Sequence, residues 1–112
     1  MKKIECLNIV NEKKQITLKL SNKDFLEFNY FIIKERKSKE EYKIYGIRNA
    51  DENLVSLPYS CLEFKENKFL RLDLYIMTND GKLKRPKINN ERVDFKKIKY
   101  SQFYFLNNNH GV

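Results

Sequence analysis

Phe69-Leu70-Arg71-Leu72-Asp73-Leu74-Tyr75-Ile76-Met77, running on into Thr78-Asn79-Asp80-Gly81, is the stretch that decides the fold class. Leu70, Leu72, Leu74 and Ile76 fall on one side of a period-two alternation, and Arg71, Asp73, Tyr75 and Met77 on the other. That is the pattern of a strand with one face in a core. Asp80-Gly81 signals a hairpin because both residues tolerate positive φ. The returning strand is expected to start at Lys82 and stop at Pro86, which has no N–H to give a sheet ladder. The segment therefore predicts a central strand with an antiparallel partner.

Toward the N-terminus, Ile16-Thr17-Leu18-Lys19-Leu20 repeats the alternation, and Ile4 to Val10 is apolar at 4, 6, 7, 9 and 10. These two runs are expected to pair through Asn11-Glu12-Lys13-Lys14. Phe28–Lys34 and Glu41–Arg48 flank the polar segment Glu35–Glu40 and read as another hairpin. A competing reading makes Ser21 an N-cap and 22–37 a helix, since Phe25, Phe28, Ile32 and Ile33 fall near helical spacing. Aromatic and β-branched content favours the strand.

Further along, Asn49–Asn53 is a polar turn, and Leu54–Leu57 is a short strand ended by Pro58. Ser60–Phe64 is a short strand or one helical turn. Val93–Leu106 alternates in pieces whose phase slips near Lys96-Lys97 and Ser101-Gln102, as bulges or a helix would cause. Residues 107–112 read as a frayed tail. The expected fold is mainly β, or α+β with one short helix. It is a small antiparallel barrel or sandwich forming a single domain over 1–106, which resembles OB-like and PUA-like domains in architecture only.

The 112 residues suffice for one core without disulfide or metal staples, and the 41% hydrophobic and 34% charged composition suits a folded domain. No apolar run approaches the length of a membrane span, and Met1-Lys2-Lys3-Ile4 leads into no signal-peptide apolar region, so the chain is expected in the cytoplasm. Cys6 and Cys61 each sit beside a leucine and are expected as free, buried thiols. Abundant lysine and asparagine are also what A+T-rich coding produces.

Recognisable catalytic machinery is missing from the sequence. The one histidine, His110, lies in the tail among asparagines, where no fold holds a general base in place. The cysteines have no close-spaced second ligand, so no metal site is expected. Gly46, Gly81 and Gly111 are isolated, which excludes a phosphate-cradling loop or a dinucleotide fingerprint and leaves no cofactor to expect. A nuclease would need Asp73 joined by Glu63, Glu66, Asp80 or Asp94 around a metal. Those acids are interleaved with lysines, as on a solvated face, so no enzyme is expected.

Charge is the remaining signal. Of a formal net charge of +8, the segment 82–99 carries +6, from eight basic residues against Glu91 and Asp94. Such a segment offers phosphates a place to release counterions. Tyr75 shares its strand face with Arg71, Tyr45 stands two residues from Lys43, and Tyr100 follows the run. Tyrosines beside cations are platforms for unpaired bases. The candidate nucleic-acid contacts are Arg71, Tyr75, Lys84, Arg85, Lys87, Arg92, Lys96, Lys97, Lys99 and Tyr100. The expected role is a non-enzymatic regulator binding RNA or single strands, no helix-turn-helix pattern being present. The alternative is a small interaction protein, of the kind phages and plasmids encode, that grips an acidic or nucleic-acid-binding protein. A membrane partner is not expected, because the segment holds Pro86 and no sustained amphipathic helix.

Overall fold

The computed structural model describes residues 2–12, 14–62, 70–92, 94–97 and 103–105, with backbone alone for 70, 92, 94–97 and 103–105. In chain order the elements are β1 (Lys2–Glu5), β2 (Asn8–Asn11), β3 (Gln15–Lys19), α1 (Asn22–Glu27), β4 (Phe28–Glu35), β5 (Glu41–Ile44), β6 (Ile47–Asn49) and β7 (Leu54–Pro58). There follow a 3-10 turn (Tyr59–Cys61), β8 (Leu70–Thr78), β9 (Leu83–Ile88), β10 (Glu91–Arg92), β11 (Asp94–Lys97) and β12 (Phe103–Phe105). The protein is mainly β, and its described residues form one short helix and strands arranged in two sheets. The smaller has the order β2-β3-β7-β6, and the remaining eight strands make the larger.

β8 is the central strand that its alternation predicts. Along one edge it pairs with β4; along the other it meets β11 at its start and β9 near its end. Leu72, Leu74 and Ile76 are fully buried and join Phe28, Phe31 and Ile33 of β4. Ile16 and Leu18 of β3 and Val55 and Leu57 of β7 belong to the same cluster, so one core draws on both sheets. Each such side chain contributes about 1.5–3 kcal/mol by leaving water.

Several local readings change. The hairpin after β8 is a wide one: Thr78 donates its N–H to the Lys82 carbonyl (2.9 Å), Gly81 donates to the Thr78 carbonyl (3.0 Å), and only Gly81 in this turn has positive φ. A turn closed by a left-handed glycine requires nothing unusual of Asp80. The two-residue turn with both φ positive occurs instead at Asn89-Asn90, between β9 and β10.

Pro86 does not stop β9; it is buried inside the strand. β1 runs parallel to β9, and the Cys6 N–H bonds the Lys87 carbonyl (2.7 Å), which sets the ladder so that Arg85 and Lys87 bond β1. Pro86 therefore turns its nitrogen to the other edge. There the pairing with β8 has ended at Lys84 and that with β10 begins at Lys87, so no donor is missed.

Both readings of 22–37 hold in part. The Ser21 hydroxyl accepts the Asp24 N–H (3.1 Å) and caps α1, which gives way at Phe28 to the eight-residue β4. Ile4–Val10 is two strands rather than one: Cys6 bonds the larger sheet, whereas the Leu7 N–H bonds the Lys19 carbonyl of the smaller (2.8 Å). Glu41–Arg48 likewise splits, β5 belonging to the larger sheet and β6 to the smaller. At the C-terminal end, β11 and β12 pair antiparallel, with Phe95 opposite Phe105, and Ser101-Gln102, where a slip is expected, lie outside the described residues. Among the described residues no helix is long and apolar enough to cross a membrane. Cys6 is buried as expected; Cys61 is exposed, at the end of the 3-10 turn, and both thiols are free.

Candidate nucleic-acid interface

The face of the larger sheet opposite the core is set by register. With Leu72, Leu74 and Ile76 inward, Arg71, Asp73, Tyr75 and Met77 take the other side of β8. Across from them β4 brings Lys34 to Asp73, Ile32 to Tyr75 and Tyr30 to Met77. β5 extends the rows by placing Lys43 opposite Ile32 and Glu41 opposite Lys34.

The side chains meet as these rows require. Arg85 Cζ lies 4.5 Å from the centre of the Tyr75 ring and Lys34 Nζ 4.9 Å, both within cation–π range. Lys43 Nζ lies 4.3 Å from the Tyr30 ring and 5.0 Å from that of Tyr45, and the two rings stand edge to face at 5.6 Å. Interaction with the Tyr45 hydroxyl pushes the Lys43 pKa up, so the ammonium keeps its charge. Two acids on this face are paired. Asp73 Oδ1 accepts from Arg36 Nε (2.7 Å), with Arg36 Nη2 at 2.7 Å and Arg85 Nη2 at 3.9 Å; Glu41 sits 3.1 Å from Lys34 Nζ.

At one end of the face, Glu35, Arg36, Lys37 and Arg71 line a cleft of about 290 Å³. The Glu35 carboxylate is turned into the β4–β5 loop, where it accepts the N–H groups of Lys37 (2.8 Å) and Ser38 (3.1 Å). Lys37 and Arg71 are exposed at the cleft.

Of the residues expected from sequence, the structure brings Arg71, Tyr75, Arg85 and Lys87 to this face, but unequally. Arg71 is exposed, Tyr75 and Lys87 are half-buried, and Arg85 is only 7% exposed. Lys84 goes elsewhere: it has the parity of buried Pro86, and its Nζ lies 3.7 Å from Glu27 of α1. The basic segment is thus split by strand alternation. In backbone register Arg92 stands opposite Lys87, Lys96 opposite Arg71 and Lys97 opposite Leu70. Lys99, Tyr100, Glu63, Glu66, His110 and the tail 107–112 lie outside the described residues. Asp80 is at the β8–β9 turn, bonded to the Thr78 hydroxyl, which lowers its pKa; Asp94 stands opposite Asp73 in register.

Sequence reasoning missed Tyr30, Lys34, Arg36 and Lys37 and undervalued Lys43 and Tyr45. Among the described residues Tyr45, 59% exposed, is the most open ring on this face, while Tyr75 is already flanked by cations. The Tyr45–Lys43 spacing was the available signal. Parity could not be assigned to Tyr30 and Lys34 while 22–37 stood between helix and strand.

The outer face of the smaller sheet differs in character. A groove of about 480 Å³ is lined by Val10, Ile47 and Leu54 among amides, hydroxyls and the charged Glu12 and Lys19, with Thr17 Oγ1 and Ser56 Oγ hydrogen-bonded at 2.8 Å. Among the described residues no three His, Cys, Asp or Glu side chains gather to hold a metal ion. Comparison of the chain with family models, with curated proteins and with solved structures finds no match.

Proposed function

We propose that the protein is a non-enzymatic, cytoplasmic nucleic-acid-binding regulator that takes RNA or unpaired strands on the outer face of the larger sheet. The observation that carries this reading is the interleaving of Tyr30, Tyr45 and Tyr75 with Lys43, Lys34 and Arg85 on one face, where Asp73 and Glu41 are already paired. Tyrosine rings offer stacking surfaces to unpaired bases, and the surrounding cations suit phosphates. The helix α1, six residues long, favours unpaired strands over major-groove reading.

Fluorescence anisotropy with labelled single-stranded RNA, single-stranded DNA and duplex tests this. Binding to the single strands should weaken steeply with salt, and changing Lys96, Lys97 and Lys99 together to glutamate should reduce it. No binding at low salt overturns the reading.

The groove of the smaller sheet favours a second reading, an interaction protein that docks an acidic or nucleic-acid-binding partner, because it exposes Val10 and Ile47. Capture of a protein partner from nuclease-treated lysate, lost on Ile47→Asp, supports that reading over the first.

A further inference from the structure

Resting on the nucleic-acid reading above, we infer that the outer face holds a polar track for one unpaired strand, with a phosphate seat at Arg36, Lys37 and Arg71 and a terminal base platform at Tyr45 and Tyr30. Tyr75 lies between the two ends.

The register supplies the geometry. Arg36 follows β4 directly and, by extension of the β4–β8 register, stands across from Arg71, whose carbonyl its N–H bonds at 3.0 Å. Tyr30 lies six residues back along the same chain, which in strand geometry is about 20 Å. Single-strand sites on small β folds start at about four nucleotides, a length that suits this span.

The ends differ in chemistry. The cleft end gathers the guanidinium groups of Arg36, which also holds Asp73, and Arg71 with the ammonium of Lys37 around about 290 Å³, room for a phosphate, and Glu35, the one acid among the described residues lining it, spends its carboxylate on backbone N–H groups. The other end presents two rings in edge-to-face contact, one of them largely exposed. Between them Ile32 and Met77 add uncharged surface, and the acids the strand would pass, Asp73 and Glu41, are held by Arg36 and Lys34. Neither of these two therefore meets the strand as an unpaired carboxylate. A duplex keeps its bases stacked on one another and offers nothing to a ring platform.

Anisotropy titrations with oligouridylate and oligothymidylate of two to about eight nucleotides test the track. Affinity should rise to about four nucleotides and change little beyond. On a tetranucleotide, Tyr45→Ala and Lys37→Glu should each weaken binding, Tyr45→Ala by about tenfold, with Tyr45→Phe retaining it. A dinucleotide cannot reach both ends, so only one of the two substitutions should affect it. RNA and DNA should bind within about tenfold of each other, since neither a ring nor a phosphate seat reads the sugar.

If the wild-type protein binds long oligomers but Tyr45→Ala is silent, or both substitutions weaken the dinucleotide, the track is wrong and the nucleic-acid reading stands. Preferential binding of duplex also overturns the track. If nothing binds at low salt, both fall together. Thermal melts of each variant, all at exposed positions, confirm that the fold is kept.

Discussion

Gly46 and Gly81 share a left-handed backbone, φ +75° and +81°, but differ in their surroundings. A Cβ at Gly46 would lie 2.7 Å from the Ser56 carbonyl oxygen and 2.9 Å from the Phe31 ring, whereas one at Gly81 would meet nothing within 4 Å. Alanine at 81 should therefore cost only the conformational term, about 1–2 kcal/mol. At 46 it adds a clash with backbone and a core ring, for about 3 kcal/mol or more. Urea denaturation of the two variants checks the difference, and equal losses would show that crowding at Gly46 does not matter. The cysteines form a second contrast. Cys61 should react with a thiol reagent in the native state and Cys6 only on unfolding. Burial pushes the Cys6 pKa from 9.0 up to about 12. Because the folded state holds this proton more tightly, its contribution to stability is complete below about pH 9 and is lost as pH rises towards 12. Denaturation midpoints of wild type and Cys6→Ala should converge over that range.

At the scale of elements, the protein turns on strands that leave one sheet for the other, at Cys6-Leu7 and at Gly46. The second crossing is fastened by Arg48 of β6. Its Nη1 donates to the Phe28 carbonyl (3.0 Å), its Nη2 donates to the Asn29 carbonyl (2.7 Å), and its guanidinium lies 5.0 Å from the Phe28 ring. These carbonyls sit at the register shift in β4, where the ladder with β8 is interrupted. Arg48→Ala should cost about 2 kcal/mol, and Arg48→Lys should recover little, since one ammonium cannot reproduce the fork. A thermal melt of both variants distinguishes this from ordinary surface packing, in which lysine would serve. Such fastenings explain what could be read in the sequence. β8 and β3 have neighbours on both edges and one face in the core, so their composition alternates cleanly. Period-two patterning carries no mark of a change of sheet, because a crossing residue keeps its polarity while its partners change. Pro86 misled for a related reason: its cost depends on which edge its nitrogen faces, and that is fixed by the distant β1. The helix over 22–27 was signalled by its Ser21 cap, but the aromatic run behind it belongs to β4, and sequence gave no sharp boundary between them.

For the molecule as a whole, linear charge and surface charge part company. Three quarters of the net charge lies in 82–99, yet alternation sends neighbouring cations of β9 to opposite sides. Lys84 pairs with Glu27 near α1, while Arg85 lies against Asp73 and Tyr75. Meanwhile Lys43, from a part of the chain with little net charge, stands beside two tyrosine rings on the proposed binding face. If binding follows the segment, Lys84→Glu should matter and Lys43→Glu should not. If it follows the face, the order reverses: Lys43→Glu should lower the slope of log affinity against log salt by about one phosphate contact, and Lys84→Glu should leave it nearly unchanged. Both substitutions change the net charge equally, so any effect of the protein's overall field is common to both. Equal losses would mean that the overall field, not the face, holds the ligand. The comparison needs only two variants and one oligonucleotide across a salt series, and it separates sequence proximity from spatial proximity as the source of binding.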